Sequence, residues 1–219
     1  MERKLIRTAD GSPTLRVPEW NEQYHSTHGA VQEAYHVFIR AGLQAMPTGP
    51  LRILEMGFGT GLNALITLLE AKEDYTPIHY TALEAFPLGP ELWPTLDYGK
   101  YLGHTEAPGL YKRLHETPWE SFEPITPGFQ LRKLQMDFLS FRETDMADLV
   151  YFDAFGARVQ PELWTEPVFQ AMYQALSPGG KLVTYAAKGS VRRAMQAAGF
   201  SVERLPGPPG KREMLRASK

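Results

Sequence analysis

The stretch Leu51-Arg-Ile-Leu-Glu55-Met-Gly57-Phe-Gly59-Thr-Gly61-Leu-Asn63 decides the fold. Leu51–Met56 is a short apolar run and predicts a buried strand. Residues 62–71 are apolar nearly all round and predict a buried helix. Between them, three glycines on alternate positions make a tight turn that lets a ligand approach the backbone. The spacing is Gly-x-Gly-x-Gly, not the Gly-x-Gly-x-x-Gly of dinucleotide binders, and it lacks the Gly-Lys-Ser/Thr ending of a phosphate loop. Glu55 places a carboxylate at the strand tip, where it would repel a pyrophosphate but suit an ammonium or sulfonium group. A merely structural turn is the alternative, and the acid in front with the helix behind argues against it.

Outward from this unit the chain keeps alternating. Strands are expected at 78–84, 129–136, 147–153, 181–186, 200–205 and 212–217, with helices at 161–176 and 190–198. The stretch 85–128 is rich in Pro, Trp and Tyr, and helices are expected around 91–96 and around Trp119. Such alternation predicts an α/β protein with a doubly wound parallel sheet of seven strands. The stiff turn Pro206-Gly-Pro-Pro-Gly210 folds the last strand back, which makes one strand antiparallel. Residues 1–45 read as a small N-terminal extension, a hairpin around Ala-Asp-Gly-Ser-Pro13 and a helix over 29–43, packed on a main domain at 46–219.

The chain has 219 residues, a formal net charge of −2 and no cysteine. Disulfides, thiolate zinc sites and a cysteine nucleophile are thereby excluded. The charged start Met1-Glu-Arg-Lys-Leu-Ile-Arg7 is not a signal peptide, so a cytoplasmic protein is expected. The charge is unevenly spread: residues 181–219 hold nine Lys/Arg and two Asp/Glu, a net of +7, and the rest carries −9. That asymmetry points either to a polyanionic partner or to a solvated basic face.

In open α/β sheets ligands bind beyond the C-terminal ends of the strands. Glu84 ends the second strand, 27 residues past Gly57, where an acid accepts hydrogen bonds from both ribose hydroxyls of an adenosine. Asp137 and Phe138 end the third, placed to accept from an adenine amino group and to flank its ring. With the acid at Glu55, these sites describe an adenosine pocket for a ligand with a cationic tail, S-adenosylmethionine. The pattern resembles the seven-stranded class I methyltransferase fold. Asp153, in Tyr151-Phe-Asp153-Ala-Phe155, ends the fourth strand near the expected sulfonium methyl. There it can hydrogen-bond an acceptor amine, orient its lone pair or take its proton, or else simply cap the following turn.

The glycine turn, residues 152–155, Pro161-Glu-Leu-Trp164, Gly189-Ser-Val-Arg-Arg193 and Gly210-Lys-Arg-Glu-Met-Leu215 together resemble one family. It is the tRNA 5-methylaminomethyl-2-thiouridine methyltransferase family, the MnmC N-terminal domain and its stand-alone relative MnmD. Tyr24-His-Ser26-Thr-His-Gly29, with Glu33 and Val37-Phe38, resembles its entry segment. The resemblance implies N-methylation of 5-aminomethyl-(2-thio)uridine at the tRNA wobble position. It implies that Glu55, Gly57, Phe58, Gly59, Gly61, Asn63, Glu84, Asp137 and Phe138 hold S-adenosylmethionine, that Tyr24 and Ser26 close over it, and that Asp153 is the catalytic acid or base. Family members often continue with Ala-Pro where this chain has Gly156-Ala-Arg158, and Ala187-Lys188-Gly189 also departs from the bifunctional pattern. Arg158 is then either a phosphate contact or an ordinary loop residue. The chain leaves no room for the flavin domain of the bifunctional members, so a separate enzyme is expected to supply the amine.

The basic end then has a use: Lys188, Arg192, Arg193, Lys211 and Arg212 are expected to contact tRNA phosphates. Phe155, Trp164 and Tyr185 are available to stack on the base, although packing of its helix on the sheet is the favoured reading for Trp164. His25, His28, His36 and Glu33 lack the spacing that sets two histidines on one helical face, so no metal is expected. Two other readings compete: a methyl- or aminopropyltransferase of the same fold acting on a small amine, and a non-catalytic RNA-binding module.

Overall fold

The computed structural model describes residues 1–71 and 74–219. The chain opens with three short strands, β1 (Lys4–Arg7), β2 (Pro13–Val17) and β3 (Glu22–Gln23), which form their own antiparallel sheet. Helix α1 (Ala30–Ala34) follows and runs into a π-helical turn over Tyr35–Arg40. The sequence predicts one regular helix here. Val37, Phe38 and Ile39 of this wider turn are all buried.

The main sheet begins with β4 (Leu51–Met56), then α2 (Leu62–Ala71) and β5 (Ile78–Glu84), all with the predicted bounds. Next come the short α3 (Gly99–Leu102), α4 (Ala107–Glu116), β6 (Phe122–Thr126), β7 (Phe129–Gln135) and β8 (Ala147–Phe152). The chain closes with α5 (Glu166–Ala175), β9 (Leu176–Thr184), α6 (Gly189–Ala197), β10 (Ser201–Pro206) and β11 (Glu213–Ser218). Eight strands pair in the order β10-β11-β9-β8-β4-β5-β7-β6. β9, β8, β4, β5 and β7 are parallel, and β11 runs antiparallel between β9 and β10.

Seven of these strands are the predicted ones, and β6 is an eighth, antiparallel to β7 at the sheet edge. Pro124 disguises β6 in the sequence, yet an edge strand tolerates a residue with no amide to donate. Helix α4 replaces the helices expected near residues 91–96 and Trp119; only Trp93–Leu96 forms a single 3-10 turn. Pro108 stands in the first turn of α4, where its missing N–H costs nothing. Ala107, Tyr111 and Leu114 then form its buried face.

The predicted helix over 161–176 divides. Pro161–Trp164 is a 3-10 turn, Pro167 in the first turn of α5 restarts the helix, and Leu176 already belongs to β9. Ser177-Pro-Gly-Gly180 therefore lies inside a strand with a register shift opposite Ala147 and Leu149.

The central strands feed two cores through alternate residues. Leu149 and Tyr151 of β8 pack with α2 and the π-turn, while Val150 and Phe152 pack with α5 and α6. Arg52 on β4 and Asp148 on β8 tie the lower ends of the two central strands, with Nη2 and Oδ1 2.8 Å apart. This leaves the upper ends free to converge on a single cavity. Among the described residues no helix is long and apolar enough to cross a membrane.

Candidate active site

A cavity of about 980 Å³ opens above the upper ends of β4, β5, β7 and β8. Its floor is the glycine turn. Gly57 has φ +105°, and a Cβ there would lie 3.0 Å from the Asp153 carbonyl oxygen, so only glycine lets the two strand ends close up. The Gly59 amide donates to Glu84 Oε2 at 2.8 Å, and the Phe86 amide to Glu84 Oε1 at 2.9 Å. Glu84 thus fixes the turn after β4 against the turn after β5. Burial raises its carboxyl, while these backbone donors and the Arg3 charge oppose the rise.

Asn63, in the first turn of α2, bridges two acids. Its Nδ2 donates to Glu55 Oε1 at 3.0 Å and to Asp153 Oδ2 at 2.8 Å. Asn63 Oδ1 and Glu55 Oε2 are buried acceptors with no hydrogen-bond partner among the described residues. The Tyr80 hydroxyl approaches Glu55 without good hydrogen-bond geometry, and burial raises it well above its ordinary value. Burial, reinforced by the Asp153 charge, pushes Glu55 well up. Asp153 is pushed up to about 8 by burial and by Glu33, against the Asn63 hydrogen bond and the Lys211 charge. Glu84 and Asp153 line the cavity with Glu55 behind Asn63, and because burial raises all three, a cation entering there draws them toward their charged form.

The other walls come from three places. Asp137 caps the turn after β7 through Leu139 N at 2.9 Å and, with Phe138, lines the side next to Glu84. The N-terminal segment brings Tyr24, whose hydroxyl accepts from Arg3 Nε at 2.9 Å and whose ring meets Phe155 edge-on at 4.9 Å. Trp20 meets the same Phe155 edge-on at 5.4 Å. The third wall is Tyr185 with Lys211, whose ammonium lies 3.9 Å from the ring centroid.

The sequence of residues 131–219 matches a family described as S-adenosyl-L-methionine-dependent methyltransferase. The bifunctional protein MnmC of tRNA 5-methylaminomethyl-2-thiouridine biosynthesis from Paracidovorax citrulli is 32% identical over 223 residues, covering 95% of this chain and 34% of its own length. A crystal structure of MNMC2 from Aquifex aeolicus superposes with a TM-score of 0.76 at 26% identity, covering 99% of this chain and 70% of that one. The chain has the class I S-adenosylmethionine-dependent methyltransferase fold. It spans about a third of the length of the curated relatives it matches. Spermidine synthase from Thermotoga maritima, at 13% identity and a TM-score of 0.57, shares the fold alone.

The cavity fits S-adenosylmethionine on its own evidence: the glycine cradle and the acids that line it suit an adenosine with a cationic tail. Gly57, Phe58, Gly59, Asn63, Glu84, Asp137, Phe138, Tyr24, Ser26, Asp153 and Phe155 all face it. Two residues expected to touch the cofactor do not line the cavity. Glu55 is 0% exposed and stands behind Asn63, whose Nδ2 donates to it. Gly61 turns toward His115 and Phe58, and its role is to let α2 start close to α4.

The basic residues separate as well. Lys188, Arg193 and Arg212 are exposed and Arg192 is half-buried, all off the cavity. Lys211 is not available for a phosphate, because it pairs with Glu33 at 2.5 Å on the cavity wall. Arg158 binds the Trp20 and Asn21 carbonyls and Glu22, so it holds the N-terminal segment as a loop residue would. Trp164 is buried and donates to the Phe155 carbonyl at 2.7 Å. His25 bonds Thr14, and His36 bonds the Pro206 carbonyl.

Sequence reasoning missed Arg3, Trp20 and the Glu33–Lys211 pair. Glu33 left a signal as part of the entry segment, and Lys211 was expected at a tRNA phosphate rather than beside Glu33. The others depend on the N-terminal sheet folding over the cavity.

Proposed function

We propose that this methyltransferase N-methylates the amine of 5-aminomethyl-(2-thio)uridine at the tRNA wobble position, giving 5-methylaminomethyl-(2-thio)uridine. The bound cofactor supplies an electrophilic methyl on a cationic sulfur. Asp153 then receives the acceptor amine, orients its nitrogen and takes the proton it must lose. Glu55, Asn63, the glycine turn, Glu84 and Asp137 hold and orient the cofactor. Positioning supplies much of the rate, since methyl transfer needs in-line geometry more than covalent help.

The observation that supports this reading best is Asp153 itself. It is a carboxyl at the strand end beside the glycine turn, hydrogen-bonded by Asn63 and sharing its cavity with Phe155 and Tyr185. Lys188, Arg192, Arg193 and Arg212 hold the tRNA backbone from outside the cavity. In this reading the aminomethyl group is made by a separate enzyme, the protein works in the cytoplasm, and residues 1–45 serve as an extension to a methyltransferase domain at 46–219.

The test is transfer from labelled S-adenosylmethionine to tRNA carrying 5-aminomethyl-2-thiouridine, read by nucleoside mass spectrometry. The expected result is one methyl added to that nucleoside. Methylation of free small amines with none in tRNA would reject the reading.

A further inference from the structure

Glu33 belongs to α1, far in sequence from the glycine turn, yet it lines the cavity and is only 7% exposed. Its Oε1 accepts from the Ser26 amide at 2.9 Å, and its Oε2 pairs with Lys211 Nζ at 2.5 Å. The Lys211 ammonium lies over the Tyr185 ring, and the Tyr185 hydroxyl donates to the Ala154 carbonyl at 2.9 Å, one residue past Asp153. Glu33, Lys211 and Tyr185 therefore link the N-terminal segment and the turn before β11 to the backbone that carries Asp153. A buried ion pair adds little net stability over a well-packed apolar pair. Its place beside the one cavity acid assigned to chemistry gives it a different use.

We infer that Glu33 and Lys211 are positioning residues for methyl transfer, an opposed pair of charges on the cavity wall that sets when Asp153 is ionised and ready for a cationic amine. The inference rests on the role given to Asp153 above. In the step it governs, the acceptor ammonium gives a proton to the Asp153 carboxylate. The freed nitrogen lone pair forms the N–CH3 bond as the C–S bond breaks and its electron pair stays on sulfur. The proton then leaves Asp153 for solvent.

The groups facing Asp153 are few and identifiable. Glu55 and Tyr80 stand behind it on β4 and β5, Asn63 meets it from α2, and Tyr185 from the end of β9. Glu33 faces it from α1 and Lys211 from the turn before β11. Burial raises its carboxyl most, Glu33 adds to the rise, and Lys211 opposes it. Lys211→Met and Glu33→Gln must therefore act in opposite directions, which loss of packing would not produce.

The experiment measures S-adenosylmethionine affinity against pH by calorimetry in the full chain. Affinity for the cation should rise as Asp153 ionises. Lys211→Met should move that rise to higher pH by about one pH unit, and Glu33→Gln to lower pH by a similar amount. Lys211→Arg keeps the cation and should stay near the parent. Should Glu33→Gln fail to fold, the contrast between Lys211→Met and Lys211→Arg decides alone. Both variants moving the rise the same way, or neither moving it while both still bind, overturns the inference. No acceptor is present in this assay, so a wrong tRNA assignment would leave its outcome unchanged and appear only as missing methyl transfer.

Discussion

The Asp153 carboxyl shows how one side chain ties stability to chemistry. Burial and Glu33 hold it near 8 in the folded protein, against 3.8 for an ordinary aspartate. Between those values the native state binds a proton that the unfolded chain has lost, so Asp153 lowers stability increasingly as pH rises through that window. Asp153→Asn removes the group while keeping an acceptor for Asn63. Its melting temperature should exceed that of the parent by about 3 °C or more at pH 8, with the gain vanishing below pH 4. Methyl transfer should fall by about 10²–10⁴-fold. Equal thermal shifts at both pH values would show that Asp153 is ionised in the fold. The residue could be read in the sequence because it ends a strand beside aromatic neighbours. Its elevated carboxyl could not, since Glu33 lies 120 positions earlier and reaches it only through the tertiary fold.

At the scale of the element, the turn between β4 and α2 is a device for close approach. Gly57 adopts a conformation that costs an L side chain about 1–2 kcal/mol, and its missing Cβ leaves room for the Asp153 carbonyl. Gly57→Ala should weaken S-adenosylmethionine binding about tenfold or more by calorimetry, because the floor of the cavity and Asp153 must shift together. Gly49→Ala is the matched control. Gly49 also has a positive φ, +120°, but nothing lies within 4 Å of its added Cβ. It should lose comparable stability and keep its affinity; an equal loss of affinity in both would mean that the turn acts only through general stability. This turn was legible because strand, glycines and helix are contiguous. α4 and β6 were not, because Pro108 and Pro124 erase the local pattern at sites where a helix start and a sheet edge tolerate them. Lys133 supplies a further interaction that only the fold creates. It is 1% exposed and donates to the Leu114 and His115 carbonyls at 2.8 Å, closing the last turn of α4.

For the molecule as a whole, charge separates into two working regions. The cavity gathers Glu33, Glu84, Asp137 and Asp153 around a site for a cation, while Lys188, Arg192, Arg193 and Arg212 lie outside it with no ion-pair partner among the described residues. Phosphates that these free cations neutralise release their condensed counterions, so tRNA binding there depends on salt. Replacing Lys188, Arg192 and Arg193 together with Gln should weaken tRNA binding and flatten the plot of log affinity against log salt by roughly 0.7–0.9 for each phosphate no longer neutralised. S-adenosylmethionine affinity should not change, because none of the three reaches the cavity. Filter binding between low and moderate salt measures the slope. An unchanged slope would place the tRNA on another face, and the basic face of α6 would then be only a solvated surface.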